Sequence, residues 1–413
     1  MKTKVTEANQ YSNHVFLKIH DYSEFASPFA YAVVFFMLYK PSCFEDVSLV
    51  DTLWNLAKFG ISLLFIGLYF PVSKSIVKYP FLIFSIVLFS TILQNGIPAK
   101  VISHWIPGLG IICWLGANKN SLREIAKVFC ICGGTMIILN TLTVFACPNG
   151  MWIRSEASTP IWFLGQKQDF ICCYLPTAFF MVIPKKTDGF VFFNKAIVLF
   201  MVLPFLITRP IGLILCLLSF VGLIFFEKIV GKNFNVKFLF CSFVLLEILS
   251  VLIAYIFTKM TVLQLALSAI ETDGVDKSQT MGTRFGMWTY AWESFLKNPI
   301  LGRGQVSETV WYKTSGLDFY HTIIHNLPLD IMFTGGGLAL IFYILWNISM
   351  VRKLSVYRNV RICRYMSYGF FSLCFISLTE CPYNPMIFAI YGFIMCLPYV
   401  FVRGELKLLR KDL

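Results

Sequence analysis

The chain has 413 residues, of which 57% are hydrophobic and only 14% are charged, and its mean hydropathy is +0.71. Because soluble domains have about a quarter charged residues, this composition excludes a water-soluble protein and predicts a polytopic membrane protein. The net charge of +13 would suggest a nucleic-acid partner in a soluble protein. In a membrane protein it reflects the Lys and Arg that set topology, so no nucleic-acid partner is predicted.

Apolar runs recur along the whole sequence and predict an all-α fold. We expect about twelve transmembrane helices, forming a single membrane domain over residues 1–413. Several runs are shorter than the roughly 20 residues that a spanning helix needs, so we expect these helices to tilt or to include flanking residues. The predicted segments lie near residues 26–39, 52–70, 79–94, 101–116, 126–147, 170–184, 194–207, 210–226, 237–257, 326–350, 366–379 and 386–402.

The basic residues fall on alternate loops and predict the orientation of the chain. If the N-terminus lies inside, the inner segments contain 23 of the 35 Lys and Arg residues. Because basic loops stay on the cytoplasmic side, we predict that both termini are cytoplasmic. The longest polar segment, 258–325, then lies on the outer face. A loop of this length between helices is usually functional.

This outer loop contains the sequence GTRFGMWTYAWESFLKNPILGRG, residues 282–304, which predicts an amphipathic helix. Large apolar side chains, including that of Trp288, recur at helical spacing on one face, and the Asn-Pro pair at 298–299 ends the helix. The helix could lie along the outer membrane boundary or pack against the bundle. Either position would hold Arg284 near the level of the lipid headgroups.

Arg209 stands between two apolar runs in LPFLITRPIGLIL, with almost no loop around it. The predicted topology places it at the outer end of two membrane segments. An arginine at this depth is costly unless it reaches the interface or binds an anion. Both interpretations remain open, and the excess of basic residues on the inner side favours an anion site.

His321 and His325 are four residues apart at the entrance to an apolar segment, HTIIHNLPLDIMFTGGG. On a helix, both would lie on one face and could bind a metal, but no recognisable third ligand accompanies them. A structural histidine and a histidine that orients substrate or transfers a proton are the alternatives. Asn326 and Asp330 are also four apart, and Asp330 needs a partner because it lies about one turn into the membrane.

Three motifs together resemble the O-antigen ligase and polysaccharide polymerase superfamily of bacterial envelopes. GTRFGMW…NPILGRG is similar to the family's Arg-x3-Trp helix, followed by Pro, two aliphatic residues and Gly-x-Gly. HNLPLDIMFTGG is similar to its His-Asn start with a glycine closing the turn. ITRPIGLIL is similar to its arginine entry to a membrane helix. The specific resemblance covers roughly residues 200–340, while the first half matches only in topology.

The resemblance implies a glycosyltransferase at the periplasmic face of the inner membrane. The enzyme would move a glycan from undecaprenyl diphosphate to a sugar hydroxyl, with no cofactor and no metal. It implies that Arg209 and Arg284 stabilise the diphosphate as charge develops, because two arginines offer bidentate contacts. His325 would accept the proton of the hydroxyl, since imidazole exchanges protons near neutral pH. The further candidates for substrate binding are Asn326, Arg303, His321 and Trp288.

The resemblance leaves the acceptor open between two reactions. A polymerase would use the next lipid-linked repeat unit and implies a chain-length regulator as partner, whereas a ligase would use the lipid A core. The stretch IWFLGQKQDFICCYLP, residues 161–176, is similar to a Phe-Leu-Gly-x-Lys-Asn sequence of polymerases, with Gln168 in place of the asparagine. A polymerase is therefore the first hypothesis. A lipid-linked oligosaccharide flippase is less consistent, because the chain lacks half-to-half symmetry, and a purely structural membrane subunit is the remaining alternative.

Overall fold

The structure is a computed structural model. It describes residues 27–45, 47–154, 159–183, 190–208, 211–230, 236–259, 278–315, 324–378 and 380–400.

The described chain is mostly helical, as the composition predicted. Short one-turn helices at Ser42–Phe44, Lys119–Ser121, Phe205–Thr208 and Leu397–Val400 accompany the longer elements. The longer helices are α1 (Pro28–Leu38), α2 (Ser48–Leu93), α3 (Pro98–Ala117), α4 (Leu122–Ala146), α5 (Ile171–Met181), α6 (Phe190–Val202), α7 (Ile211–Val230), α8 (Val236–Lys259), α9 (Ser278–Lys297), α10 (Glu308–Ser315), α11 (Leu327–Val356), α12 (Arg361–Ser377) and α13 (Pro385–Met395).

Four of the described helical segments are long and apolar enough to cross a membrane, namely Ser48–Leu93, Pro98–Ala117, Lys119–Ala146 and Leu327–Val356. Six more stretches are apolar but shorter. Each predicted segment overlaps one of the described helices. The prediction of a helical membrane protein is therefore supported, while the number of twelve crossings stays a prediction.

Helix α2 is one element of 46 residues, with Pro71 and Pro80 inside it. A straight helix would separate Phe70 from Phe81 by about 16 Å along its axis, yet their ring centroids lie 5.0 Å apart. The element therefore bends sharply near its prolines, where backbone hydrogen bonds are missing. The bend falls within the loop that the charge pattern predicted between the second and third segments.

The described chain also contains one short β-hairpin, which leaves the all-α class of the fold unchanged. Strands β1 (Trp152–Arg154) and β2 (Thr159–Ile161) form a two-stranded antiparallel sheet. A turn follows, in which Gly165 has a φ of +108° and the Leu164 amide donates to the Asn140 side chain at 3.0 Å. The hairpin pairs its backbone groups locally, and the turn that follows it packs against α4.

Helix α9 begins at Ser278, four residues before the predicted amphipathic stretch, and ends at Lys297, next to the Asn-Pro pair. Its buried face, with Met287, Trp288 and Ala291, packs into a second apolar core with the start of α11. Of the two positions that the sequence left open, the structure therefore has α9 packed against the bundle. The apolar stripe is used for protein packing.

Helix α11 is broken at Gly336, whose φ of +67° and ψ of −167° are not helical. The segment after α9, residues 299–304, forms the backbone hydrogen bonds that are missing at the break. The amides of Arg303 and Gly304 donate to the carbonyls of residues 333 and 334 at 2.7 and 3.0 Å, and the amides of Gly337 and Leu338 donate to the carbonyls of residues 299 and 300 at 2.8 and 3.2 Å. These four bonds replace those that an unbroken helix would form, and they tie α9 to α11.

Candidate active site

Glu380 joins the two charged residues that the sequence analysis placed at the centre of the site. Its Oε1 accepts a hydrogen bond from Nη2 of Arg284 at 2.7 Å, and its Oε2 lies 2.9 Å from Nδ1 of His325. The three side chains are 18–24% exposed, so the cluster is partly shielded and still reachable. Residues 96 and 55 positions away from Glu380 thus meet at one carboxylate.

The backbone around His325 is shaped to present the imidazole. His325 has a φ of +53°, a conformation that is uncommon for residues other than glycine. Asn326 then caps α11 by accepting from the Leu329 amide at 2.9 Å, and Pro328 stands in the first helical turn. Upstream of the histidine, the Ile324 carbonyl accepts from Nε1 of Trp288 at 3.0 Å. The histidine is therefore held between a capped helix and α9.

The same geometry corrects one premise of the sequence analysis. His325 precedes α11 and is not part of a helix, so the spacing of four residues from His321 does not place the pair on one helix face. His321 lies outside the described residues. In the described part of the chain, no group of three or more His, Cys, Asp or Glu side chains is arranged to hold a metal ion.

The electrostatics of Glu380 favour its charged form. Burial by itself raises the pKa of this carboxyl, but the hydrogen bond and the charges of His325 and Arg284 outweigh that effect. The pKa of Glu380 therefore lies below its usual value of 4.5. At neutral pH the group is a carboxylate that accepts hydrogen bonds from both partners.

A second polar group, formed by Asp330 and Tyr383, lies next to the His325 segment. Asp330 is buried in the first turn of α11, and its Oδ2 accepts from the Tyr383 hydroxyl at 2.7 Å. Its Oδ1 lies 3.4 Å from the amide nitrogen of Ile324. The ring of Tyr383 stacks on His104 of α3 with centroids 5.1 Å apart and planes 5° from parallel. Asp330 thus has the partner that the sequence analysis required.

Burial and the charge of Asp330 raise the pKa of Tyr383 well above its usual range. The phenol therefore remains protonated and can donate to the aspartate at every physiological pH. Through this bond the segment after α12 is tied to the segment that presents His325. The segment from Glu380 to Tyr383 contacts both the imidazole and the acid behind it.

An apolar cavity of about 390 Å³ adjoins this cluster. It lies between α8, α9 and both halves of α11, and Pro328 and Leu329, which follow Asn326, form part of its wall. Its remaining lining is Phe240, Phe243, Val244, Glu247, Ile248, Trp292, Met332, Leu340, Tyr343, Ile344 and Asn347. A largely apolar cavity beside charged groups suits a ligand with a hydrocarbon chain and a polar head group.

The remaining predicted site residues are distributed as follows. Arg209 lies outside the described residues. The Asn326 amide donates to the Leu378 carbonyl at 3.2 Å as well as capping α11, and Trp288 is 4% exposed. Arg303 is half-buried in the segment that repairs the break in α11. Of the seven predicted residues, the structure brings Arg284 and His325 together and places Asn326 and Trp288 in supporting positions.

Glu380 and Tyr383 were missed by the sequence analysis. Both occur in SLTECPYNP, a short polar stretch between two apolar runs that the charge pattern assigns to the outer face. The signal available was an acidic residue on the same side as two proposed arginines. No spacing rule links it to residues 55 and 96 positions away, because the contact arises only from the packing of the helices.

The membrane-length helices and the apolar composition indicate an integral membrane protein. Its charged cluster of Arg284, His325 and Glu380 lies next to the start of α11. Residues 196–344 match a family model described as O-antigen ligase. This match supports assigning the chain to the O-antigen ligase and polymerase family, as the motifs predicted. The matched region includes Arg284 and His325 and ends before Glu380. None of the curated proteins compared matches the chain.

Proposed function

We propose that the protein transfers a glycan from undecaprenyl diphosphate to a sugar hydroxyl, and that it acts as a surface-polysaccharide repeat-unit polymerase. The observation that supports this most is the shared carboxylate. Glu380 holds a cation suited to phosphate, Arg284, and a group suited to proton transfer, His325, at 2.7 and 2.9 Å. A transfer from a lipid diphosphate needs both groups close to one reacting bond.

In the proposed step, the acceptor oxygen forms a bond to the anomeric carbon of the donor sugar. The bond between that carbon and the diphosphate oxygen breaks, and the diphosphate leaves with the electron pair. The hydroxyl proton passes to His325. Since Nδ1 faces Glu380, we assign the proton transfer to Nε2, with the carboxylate stabilising the imidazolium as it forms.

Arg284 and Arg209 are assigned to the departing diphosphate. A guanidinium offers paired donors that match phosphate oxygens, and it remains charged at all relevant pH values. Glu380 neutralises part of the Arg284 charge when no substrate is present and fixes its orientation. The energy of the lipid diphosphate makes a further activating group unnecessary in this scheme.

The apolar cavity supports the lipid part of the proposal. Its wall includes Pro328 and Leu329, which follow His325 in sequence by three and four residues. The first isoprene units of the carrier would lie there, with the diphosphate at the polar end beside Arg284. A bulky substitution at an apolar wall residue, such as Leu329→Trp, should weaken donor binding more than a substitution remote from the cavity.

The test is genetic and uses the native pathway. Arg284→Ala, Arg209→Ala and His325→Ala should each abolish long-chain polysaccharide while the protein is still inserted at normal abundance, measured by gel analysis of lipopolysaccharide and by immunoblot. Normal chain length in all three variants would show that the assignment of these residues is wrong. Leu68→Ala, an exposed position on α2, serves as the control.

Deletion of the gene separates the polymerase from the ligase alternative. A core with a single repeat unit indicates a polymerase. A bare core, with polymer accumulating on the carrier, indicates a ligase. Carrier-linked repeats trapped on the cytoplasmic leaflet would instead indicate a flippase.

A further inference from the structure

Lys58 is a basic residue that the reaction scheme above does not use. It lies on α2 at a half-buried position, within an element long and apolar enough to cross a membrane. Within the described residues, no carboxylate lies within ion-pair distance of its ammonium group. A charged side chain in such a helix is costly, and this cost makes Lys58 a candidate for binding a ligand of opposite charge.

The neighbouring acidic residues that the structure describes have other partners. Asp51 forms a salt bridge with Lys40 and accepts a hydrogen bond from Asn55 at 3.0 Å. Glu45 lies 4.0 Å from the same Lys40 and is largely exposed. Lys40 rather than Lys58 therefore forms the ion pairs with these carboxylates, and Lys58 forms none with a described residue.

Helix packing brings Lys58 towards the candidate active site. Ser62 of α2 packs so closely on Gly110 of α3 that a β-carbon on the glycine would lie 2.8 Å from the serine Cα. Lys58 lies one turn before Ser62, and His104 lies less than two turns before Gly110. Lys100 lies one turn before His104 on α3, so the packing of α2 on α3 brings Lys58 towards the stretch of α3 that carries Lys100 and His104.

His104 connects this basic group to the reaction centre. Its ring stacks on Tyr383, Tyr383 is bonded to Asp330, and Asp330 faces the Ile324 amide next to His325. A row of contacts thus runs from Arg284 through Glu380 and His325 to His104. The two lysines lie near the His104 end of this row on their helices. Cations stand at both ends of this row, with the proposed proton acceptor between them.

We propose that Lys58 and Lys100 form a second anion subsite, which binds the phosphate of the acceptor substrate. This inference rests on the proposed function, because a transfer reaction needs two substrates on opposite sides of the histidine. A donor whose diphosphate lies at Arg284 leaves the other flank for the acceptor. An acceptor anchored in the same membrane presents its own phosphate at similar depth, where a lysine ammonium can meet it.

The test counts bound lipids on the intact protein by native mass spectrometry, with undecaprenyl diphosphate as the probe. The wild-type protein should bind two molecules. Lys58→Gln should bind one, with affinity for the second reduced about 10- to 100-fold, as expected for the loss of one charged contact. Lys58→Arg should retain two, and Lys78→Gln, an exposed change of equal charge on the same helix, should also retain two.

The proposals for the donor site and for the lysine subsite can be tested independently. If Lys58→Gln still binds two molecules with unchanged affinity, the second subsite is wrong, whatever the result for Arg284. If Arg284→Ala retains both molecules and Lys58→Gln loses one, the donor site of the proposed function is wrong and the lysine subsite stands. If Arg284→Ala and Lys58→Gln each lose one molecule and the double variant loses both, the donor site and the lysine subsite are both supported.

Lipid A is the second probe in this experiment, because its phosphates could also occupy this subsite. If bisphosphorylated lipid A fills the second position and undecaprenyl diphosphate does not, Lys58 binds the phosphate of a ligase acceptor. Filling by undecaprenyl diphosphate alone supports a polymerase acceptor. If dephosphorylated lipid A binds as well as lipid A in the wild type, phosphate recognition by Lys58 is overturned.

Discussion

Glu380 determines how His325 and Arg284 are related, because each of its oxygens is engaged by one of them. A carboxylate in this position does three things. It holds the imidazole in one orientation, it stabilises the imidazolium, and it moderates the guanidinium charge. In this arrangement Glu380 is a positioning residue for both proposed catalytic groups.

We predict that Glu380→Gln lowers the rate of glycan transfer by at least about 100-fold, since general acid–base catalysis commonly contributes that much. The amide keeps the size of the side chain and removes its charge. The measurement is the initial rate of transfer by purified protein in lipid vesicles. Glu293→Gln, the same change at an exposed position of α9, should retain the wild-type rate, and equal loss in both variants would contradict the prediction.

The lowered pKa of Glu380 predicts a specific dependence of stability on pH. A carboxyl whose pKa is depressed in the folded state stabilises the protein above its unfolded pKa, and this contribution is lost as the pH falls through the folded value. The Tm difference between the wild type and Glu380→Gln should therefore persist from neutral pH to about 5, decrease as the pH falls below 4.5, and disappear once the pH is below the lowered pKa of Glu380. Thermal unfolding in detergent at a series of pH values measures it. A difference that shrinks between pH 7 and 5.5 would contradict it.

At the scale of elements, the break in α11 explains why three consecutive glycines follow the His325 segment. The first half of α11 presents the site residues, and the second half has the length of a membrane helix. Gly336 separates them with backbone dihedrals that residues with a β-carbon rarely adopt. The segment at 299–304 fills the gap by backbone hydrogen bonds alone, so the position of α9 relative to His325 depends on this junction.

We predict that Gly336→Ala destabilises the fold and reduces activity. A β-carbon there would lie 2.3 Å from the Ile300 carbonyl oxygen, and the positive φ adds a cost of about 1–3 kcal/mol. Differential scanning fluorimetry should show a lower Tm and the transfer assay a lower rate. Gly222→Ala, where nothing lies within 4 Å of the new atom, is the matched control. An unchanged Tm for Gly336→Ala would show that the junction tolerates a side chain.

At the scale of the whole molecule, the orientation in the membrane comes from charge alone and stays a prediction. If both termini are cytoplasmic, alkaline phosphatase fused after residue 315 should be active, and the same enzyme fused after residue 358 should be inactive. Green fluorescent protein fusions should show the opposite pattern. Activity on the same side at both positions would contradict the topology, because the two positions flank a single membrane helix, α11.

Sequence reasoning reached the class of protein, the presence of helix α9 and its end at Lys297, and two members of the charged cluster. These features depend on local signals, such as hydrophobic periodicity, breaker residues and the residue types that suit phosphate and proton transfer. It did not identify Glu380 or Tyr383. It also placed a loop between the second and third segments, where the structure has one bent helix, α2. The helical spacing that it considered for His321 and His325 does not apply, because His325 precedes α11.

The amino-acid sequence by itself determined that the chain is a helical membrane protein, because burial of so many apolar residues is stable only in lipid or in a large core. It also determined which side chains could perform the chemistry. Only the tertiary structure decided that Glu380 lies between Arg284 and His325, and that the helices carrying Lys58 and His104 pack together. Such contacts join residues far apart in sequence, and their geometry is set by how helix surfaces pack.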